Sequence, residues 1–222
     1  MSHNHAPDPT MDPAEMLTQE FWDGRYGSTD RVWSGNPNQR LVEQVADLTP
    51  GTALDVGCGE GADVIWLAAR GWTVTGIDVS PVALGRAAAQ AAKEGAEIAG
   101  RTTWEQADIL IWDPAPRQFD LVSAHFIHLP SAARVSLHRR LAAAVRPGGS
   151  LLIVGHHPAD LETTAGRWNV PGFFYTPEEL VATLAPADWE IVVAATQQRP
   201  WADPDGNPIT IQDAVLHATR RR

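Results

Sequence analysis

Three glycines, Gly57, Gly59 and Gly61, alternate with other residues directly behind an apolar run that contains Asp55. Glycine lacks a Cβ, so such a segment can turn through positive φ and let a bound molecule approach the backbone closely. From Ala62 to Arg70 the apolar residues recur at helical spacing, and the helix start offers unpaired N–H groups. A turn of this kind between a strand and a helix suits a nucleoside-bearing ligand. Asp78 closes a later apolar run and Asp108 follows a third strand-like segment, places where a carboxylate can accept hydrogen bonds from hydroxyl or amino groups. Four imidazoles, His125, His128, His156 and His157, follow two further strand-like runs. Imidazole titrates near neutrality and suits proton transfer.

The elements that must hold these groups alternate along the chain. Strands are expected at 53–56, 73–77, 102–106, 119–124 and 150–155. Helices are expected at 62–70, at 81–94 behind Ser80-Pro81, and from Ser131 to a turn at Arg146-Pro147-Gly148-Gly149. Alternation of this sort builds right-handed βαβ units and a mainly parallel sheet. Thr176-Pro177-Glu178-Glu179 has the form of a capping box before a short helix. Strands at 189–195 and 214–219 then have no helix between them, which implies an antiparallel hairpin at a sheet edge. The expected fold is therefore α/β, a Rossmann-like, doubly wound, seven-stranded, mostly parallel sheet with a C-terminal antiparallel hairpin. Residues 1–13, with three prolines, are expected to be a disordered tail. Residues 14–50 are expected to form a helical lid, with helices at 14–26 and 37–47, and residues 51–222 the ligand-binding domain.

Composition narrows the partners. The formal net charge of −10 argues against nucleic acid or an anionic membrane surface. The single cysteine, Cys58, excludes internal disulfides and a cysteine-rich metal site. The sequence shows neither an apolar run long enough to cross a bilayer nor a signal-peptide core, so a cytoplasmic protein, monomeric or homodimeric, is expected. His3, His5 and the basic run Arg220–Arg222 read as solvated.

Gly57-Cys58-Gly59-Glu60-Gly61-Ala62 fits a dinucleotide fingerprint, with Asp78 about 20 residues on. A second fit covers more of the chain. Asp55-Val56-Gly57-Cys58-Gly59-Glu60-Gly61 resembles motif I of the class I S-adenosylmethionine-dependent methyltransferases. Ile65–Gly71 and Val74–Pro81 resemble the first helix and second strand of that family, and Ala107-Asp108-Ile109 its adenine-contacting segment. Phe119–Ser123 resembles its fourth strand and Arg146–Gly149 the turn before its fifth. The likeness spans roughly residues 40–220 and is greatest to the small tellurite-resistance and thiopurine methyltransferase-like proteins. It implies S-adenosylmethionine as cofactor and a small-molecule acceptor. The implied cofactor residues are Gly57, Cys58, Gly59 and Gly61 at the methionine end, Asp55 toward its ammonium, Asp78 and Val79 at the ribose, and Asp108 and Ile109 at the adenine.

Methyl transfer is an in-line displacement at a sulfonium methyl, so the protein mainly positions and desolvates the reactants. A hydroxyl or amine acceptor also needs a base, and His125, His128 and His156 are the candidates, at strand ends where ligands bind in such sheets. The same histidines could instead line a polar rim, or His125, His128 and either His156 or His157 could share a metal; no metal is expected. Trp22, Tyr26 and Trp33 in the N-terminal segment, with Trp168, Phe173 and Phe174 after the fifth strand, are expected to form an aromatic acceptor pocket. Packing of helices onto the core is the competing role for them. Arg167 reads as solvated, or as a partner for an acidic substrate. Three functions stay open: methyl transfer to a small molecule, adenosylmethionine binding without catalysis, and a nicotinamide-dependent oxidoreductase. The last needs a substrate domain or catalytic dyad that the sequence does not display. Arsenic-methylating relatives depend on several cysteines, and this chain has one.

Overall fold

The computed structural model describes residues 12–167, 169–170 and 172–222. Most of the expected N-terminal tail, residues 1–11, and Trp168 lie outside the described residues. One sheet of seven strands organises the chain: β1 (Thr52–Val56), β2 (Thr73–Asp78), β3 (Thr102–Gln106), β4 (Phe119–His125), β5 (Val145–His156), β6 (Trp189–Ala202) and β7 (Pro208–Arg220). Their order is β3-β2-β1-β4-β5-β7-β6. Strands β1 to β5 pair in parallel, and β7 runs antiparallel to both β5 and β6. The helices are α1 (Gln19–Gly27), α2 (Gln39–Val45), α3 (Ala62–Ala68), α4 (Pro81–Glu94), α5 (Ala96–Gly100), α6 (Ser131–Ala144) and α7 (Pro177–Val181).

The central strands are apolar on both faces because helices cover both. Leu54, Val56, Ile77, Val122, Leu151 and Ile153 pack into one cluster, and Ala53, Val74, Leu121, Leu152, Val154 and Val215 into the other. The direction in which strands are added reverses between the parallel strands β1 and β4: successive crossovers run outward to β2 and β3 on one side and to β5 on the other. Ligands bind at such a switch point, beyond the carboxyl ends of the strands. Register brings the chemistry there, since Val56 of β1 stands opposite Ile77 of β2 and Ala124 of β4. Gly57, Asp78 and His125 thus leave the sheet at one level.

Local signals explain most helix ends. The Ser80 hydroxyl accepts from the Ala83 N–H, with Pro81 at the first helical position. Thr176 and Glu179 complete the capping box of α7. Four elements differ from expectation. The two late strands are longer than predicted, and beyond a register shift between Ile191 and Val193 their ladder continues to Ala202 opposite Pro208. Cross-strand pairing carries a polar stretch such as Gln197-Gln198-Arg199 that has little strand pattern of its own. Arg146–Gly149 lies within β5 rather than ending a helix; it bulges between the Phe119–Val145 and Leu121–Ser150 pairs, with Gly148 at φ 83°. Gly95 ends α4 as predicted, but a short further helix, α5, follows it.

Candidate functional site

The glycine turn is built by backbone bonds. Cys58 N–H donates to the Ile77 carbonyl and Gly61 N–H to the Cys58 carbonyl, both at 2.9 Å. Gly57, Gly59 and Gly61 have φ of 69°, 52° and 79°, where a Cβ is disfavoured. Space around them differs. Among the described residues a Cβ on Gly57 would meet only Ile127, at 3.4 Å. One on Gly59 would fall 2.9 Å from the Tyr26 hydroxyl. One on Gly61 would fall 2.6 Å from the Trp104 ring and 2.8 Å from Ala87. All three were expected to admit a ligand. The absent Cβ of Gly61 instead lets α3 pack on Trp104 and α4, while Gly57 leaves the approach open.

Asp78 is buried beside this turn. Its Oδ2 accepts from Gly59 N–H and its Oδ1 from Ser80 N–H, each at 2.9 Å, so each oxygen keeps a lone pair for a ligand. Burial raises its pKa against the pull of those backbone donors. Val79, Asp108 and Ile109 line the same cleft. The Asp108 carboxylate accepts from Leu110 N–H at 2.9 Å, and Arg140 donates to the Ile109 carbonyl at 2.8 Å, which fixes this loop.

Asp55 and His125 stand together with a residue the sequence did not single out, Asp63. Asp55 accepts from the Ser123 hydroxyl at 2.7 Å. The Asp63 carboxylate accepts from Asn38 N–H at 2.6 Å and lies 2.8 Å from His125 Nδ1. Asp63 falls in the first turn of α3, where the helix end favours an anion. Ligand atoms of Asp55, Asp63 and His125 all lie within 4.8 Å of one another. Burial and the Asp63 charge raise the Asp55 pKa. Burial opposes protonation of His125, but the Asp63 bond and the charges of Asp63 and Asp55 outweigh it and raise its pKa. His125 Nε2 has no hydrogen-bond partner among the described residues.

His128 and His156 form a separate stack, with ring centroids 5.3 Å apart. Phe126 lies 4.6 Å from His156, Phe173 5.6 Å from His128 and Phe174 6.1 Å from His156. Burial, then the charges of Arg167 and Arg25, push the His128 pKa down to about 4. Burial and Arg167 also push His156 well below its ordinary value. Phe126 has φ 53°, an uncommon conformation for a bulky residue, and its N–H donates to the Val154 carbonyl at 2.8 Å. The three histidines therefore do not form one ligand set: among the described residues only the Asp55, Asp63 and His125 group is close enough to share an ion. His157 turns away to accept from Ala159 N–H at the start of a 3-10 turn.

The N-terminal segment closes the other wall. Trp22, Tyr26 and Trp33 all line the cleft, and the Trp33 indole donates to the Tyr26 hydroxyl at 3.0 Å. Tyr26 and Trp33 sit against Gly59, at the glycine turn rather than beside Phe173 and Phe174. Trp22 packs on Phe21 and Tyr26. Glu60 ties the segment down: Oε2 accepts from Val32 and Trp33 N–H groups, and Oε1 pairs with Arg86 at 3.0 Å. Together these walls enclose a cleft of about 870 Å³ that runs from the glycine turn and Asp108 to His128, His156 and Phe174.

Residues 53–149 match the family model of a methyltransferase domain. Over this segment the chain is similar to the class I S-adenosylmethionine-dependent methyltransferases. Among its methyltransferase relatives, methyltransferase GfsG of Streptomyces halstedii is 37% identical over 151 residues, 63% of this chain and 53% of GfsG. The chain spans between 53% and 58% of the length of the first three curated relatives it matches. A structure from work on conversion of a disulfide bond into a thioacetal group during echinomycin biosynthesis superposes with TM-score 0.71 at 22% identity, covering 91% of this chain and 92% of that one. TehB from Haemophilus influenzae superposes with TM-score 0.65 at 19% identity, covering 92% of this chain and 67% of TehB. At such identities the two structures establish the shared Rossmann-like methyltransferase fold. The dinucleotide fingerprint of the glycine turn is thus met within a methyltransferase frame.

Sequence reasoning missed Asp63, Arg25, Arg199, Trp201 and Phe126, all of which line the cleft. Only Asp63 had a local signal, an acid in the first turn after the glycines.

Proposed function

We propose that the chain transfers a methyl group from S-adenosylmethionine to a small-molecule acceptor by in-line displacement. The observation that carries this reading is the single cleft, which joins a methyltransferase glycine turn to an aromatic, histidine-lined end. The residues present fit the cofactor: Gly57 leaves the backbone open, and carboxylates stand at both ends of the turn. Backbone at Gly57, Cys58 and Gly59 would face the methionine part, with Asp55 and Asp63 as counter-charges for its ammonium. Asp78 would accept from the ribose hydroxyls, beside Val79, and Asp108 from the adenine amino group, with Ile109 against the ring. When bound, the cofactor supplies an activated methyl group.

What remains for the chain is placement, exclusion of water and one proton. Residues 14–50, held by Glu60 and Asp63, act as a lid over the glycine turn; residues 51–222 form the binding domain. Trp22, Phe173 and Phe174, with His128 and His156, form the apolar wall for the acceptor, to which Trp168 is assigned on sequence alone. His128 and His156 stay neutral near pH 7, because burial and nearby arginines disfavour their charge. His125 is the imidazole whose basicity is raised, and it takes the proton that a hydroxyl or amine acceptor loses, while Asp63 stabilises the resulting charge. Placement beside the tellurite-resistance and thiopurine methyltransferase-like proteins rests on motif order. No helix among the described residues is long and apolar enough to cross a membrane. We place the protein in the cytoplasm, as a monomer or homodimer. Incubation with methyl-labelled S-adenosylmethionine and a panel of phenols, amines, thiols and carboxylates, read by mass spectrometry, tests the reading: a labelled acceptor supports enzyme over binder.

A further inference from the structure

The acceptor end of the cleft contains more positive charge than its own carboxylates use. Arg25, Arg167 and Arg199 all line it. The Arg199 Nε bonds both oxygens of Asp213, at 3.1 and 3.0 Å, but Asp213 is shared with Arg40 Nε at 3.1 Å. Arg167 is less well served. Its side chain is 14% exposed, and among the described residues it has only a loose ion pair, Nε to Asp160 Oδ2 at 3.9 Å, beyond hydrogen-bond range; that buried oxygen also lacks a hydrogen bond, and Nη2 pairs with no carboxylate. Arg167 Nε and Nη2 and Arg25 Nε are buried without a partner among the described residues. Buried donors are nearly always paired, so donors left open on a cleft wall indicate a missing acceptor. Both Arg167 and Arg199 flank Trp201, their guanidinium carbons 5.5 and 4.9 Å from its ring centroid, which holds them side by side. Beside them stand the flat surfaces of Phe174 and the His128–His156 stack.

From this we infer that the acceptor is a planar aromatic carboxylate, its anionic group held by Arg167 and Arg199 and its ring laid against Phe174 and the stacked histidines. A guanidinium presents its donors in a fork that matches a carboxylate, and such charge-assisted pairs are strong when water is excluded. The low pKa of His128 and His156 accords with a positive field at this end. Net negative charge of the whole chain makes the local excess of arginine a feature of the site and not of the composition. The inference rests on the methyl-transfer reading of the cleft and adds the chemistry of its second ligand.

The test uses para-hydroxybenzoate and its neutral isostere para-hydroxybenzamide, titrated into the whole chain saturated with S-adenosylhomocysteine, the demethylated cofactor. The carboxylate should bind at least about tenfold more tightly than the amide. Arg167→Gln should reduce that preference to about twofold, Arg167→Lys, which keeps the charge but not the fork, should leave it intermediate, and S-adenosylhomocysteine affinity should stay unchanged in both. A merely structural role for Arg167 would weaken both ligands alike. Equal affinity for carboxylate and amide, binding of neither, or a preference that survives Arg167→Gln would overturn the inference and leave the cofactor reading standing. Failure of the wild type to bind S-adenosylhomocysteine would remove the cofactor reading and this inference with it.

Discussion

His125 Nδ1 lies 2.8 Å from Asp63 Oδ2, across 62 residues of sequence. One residue ends β4 and the other opens α3, so the pair spans the switch point where the cleft begins. It fixes the imidazole: Nδ1 carries the proton shared with Asp63, and Nε2 is left to meet a ligand.

Asp63→Asn should therefore lower the His125 pKa, which NMR titration of the ring protons can follow. The sign of the stability effect follows from linkage. The His125 pKa is raised in the folded state, so its contribution is fully present below the ordinary value of about 6.5 and is lost as pH rises through the folded value. Wild type and Asp63→Asn should thus differ most in chemical denaturation at mildly acidic pH and converge at alkaline pH. A difference that grows with pH would contradict the pairing.

His125→Ala tests the proton step. It should lower turnover by roughly 10²–10⁴ with a hydroxyl or amine acceptor and much less with an acceptor already ionised. A comparable loss of S-adenosylmethionine affinity in calorimetry would instead show that His125 acts on the cofactor together with its neighbours Asp55 and Asp63.

His128 behaves in the opposite sense. Its pKa is pushed down to about 4, so the unfolded chain binds a proton that the folded chain refuses. Stability is lost as pH falls from about 6.5 toward 4. His128→Phe cannot titrate, and its melting temperature should fall less over that interval than that of wild type. Equal slopes would show that His128 is not held neutral.

The glycines separate binding from packing. Gly57→Val should abolish cofactor binding in calorimetry; at φ 69° it also carries backbone strain and should lower the melting temperature, but the chain should still fold by circular dichroism, because among the described residues only Ile127 is near the new Cβ. Gly61→Ala forces a Cβ into Trp104 and Ala87 and should cost stability of about 1–3 kcal/mol in denaturant melts. The reverse pattern would exchange the roles of the two positions.

The fold was legible because its signals were local. Apolar runs, the Ser80-Pro81 cap and the Thr176–Glu179 capping box mark elements without reference to distant residues. The ends of β6 and β7 were not, since Gln197, Gln198 and Arg199 become strand only through pairing with Asp213, Gln212 and Ile211. The cofactor end was legible to the same degree: three glycines, Asp55, Asp78 and Asp108 sit at fixed offsets from strand ends, and they line one cleft. The acceptor end was less so. Its composition depends on which loops meet, as when Arg167 after β5 and Arg199 in β6 flank Trp201. Tyr26 and Trp33 were visible as aromatics, but only the fold brings them to Gly59.

The central claim concerns which nucleoside the cleft takes, and Asp78 is the group that decides it. Wild type and Asp78→Ala should be titrated calorimetrically with S-adenosylmethionine, S-adenosylhomocysteine and NAD, with circular dichroism to confirm that the turn survives loss of the bonds from Gly59 and Ser80. Wild type is predicted to bind the first two and not the third. Asp78→Ala is predicted to weaken both by roughly 1.5–3 kcal/mol for each ribose bond lost. Binding of NAD in preference to S-adenosylmethionine, or unchanged affinity in a folded Asp78→Ala, would contradict the account.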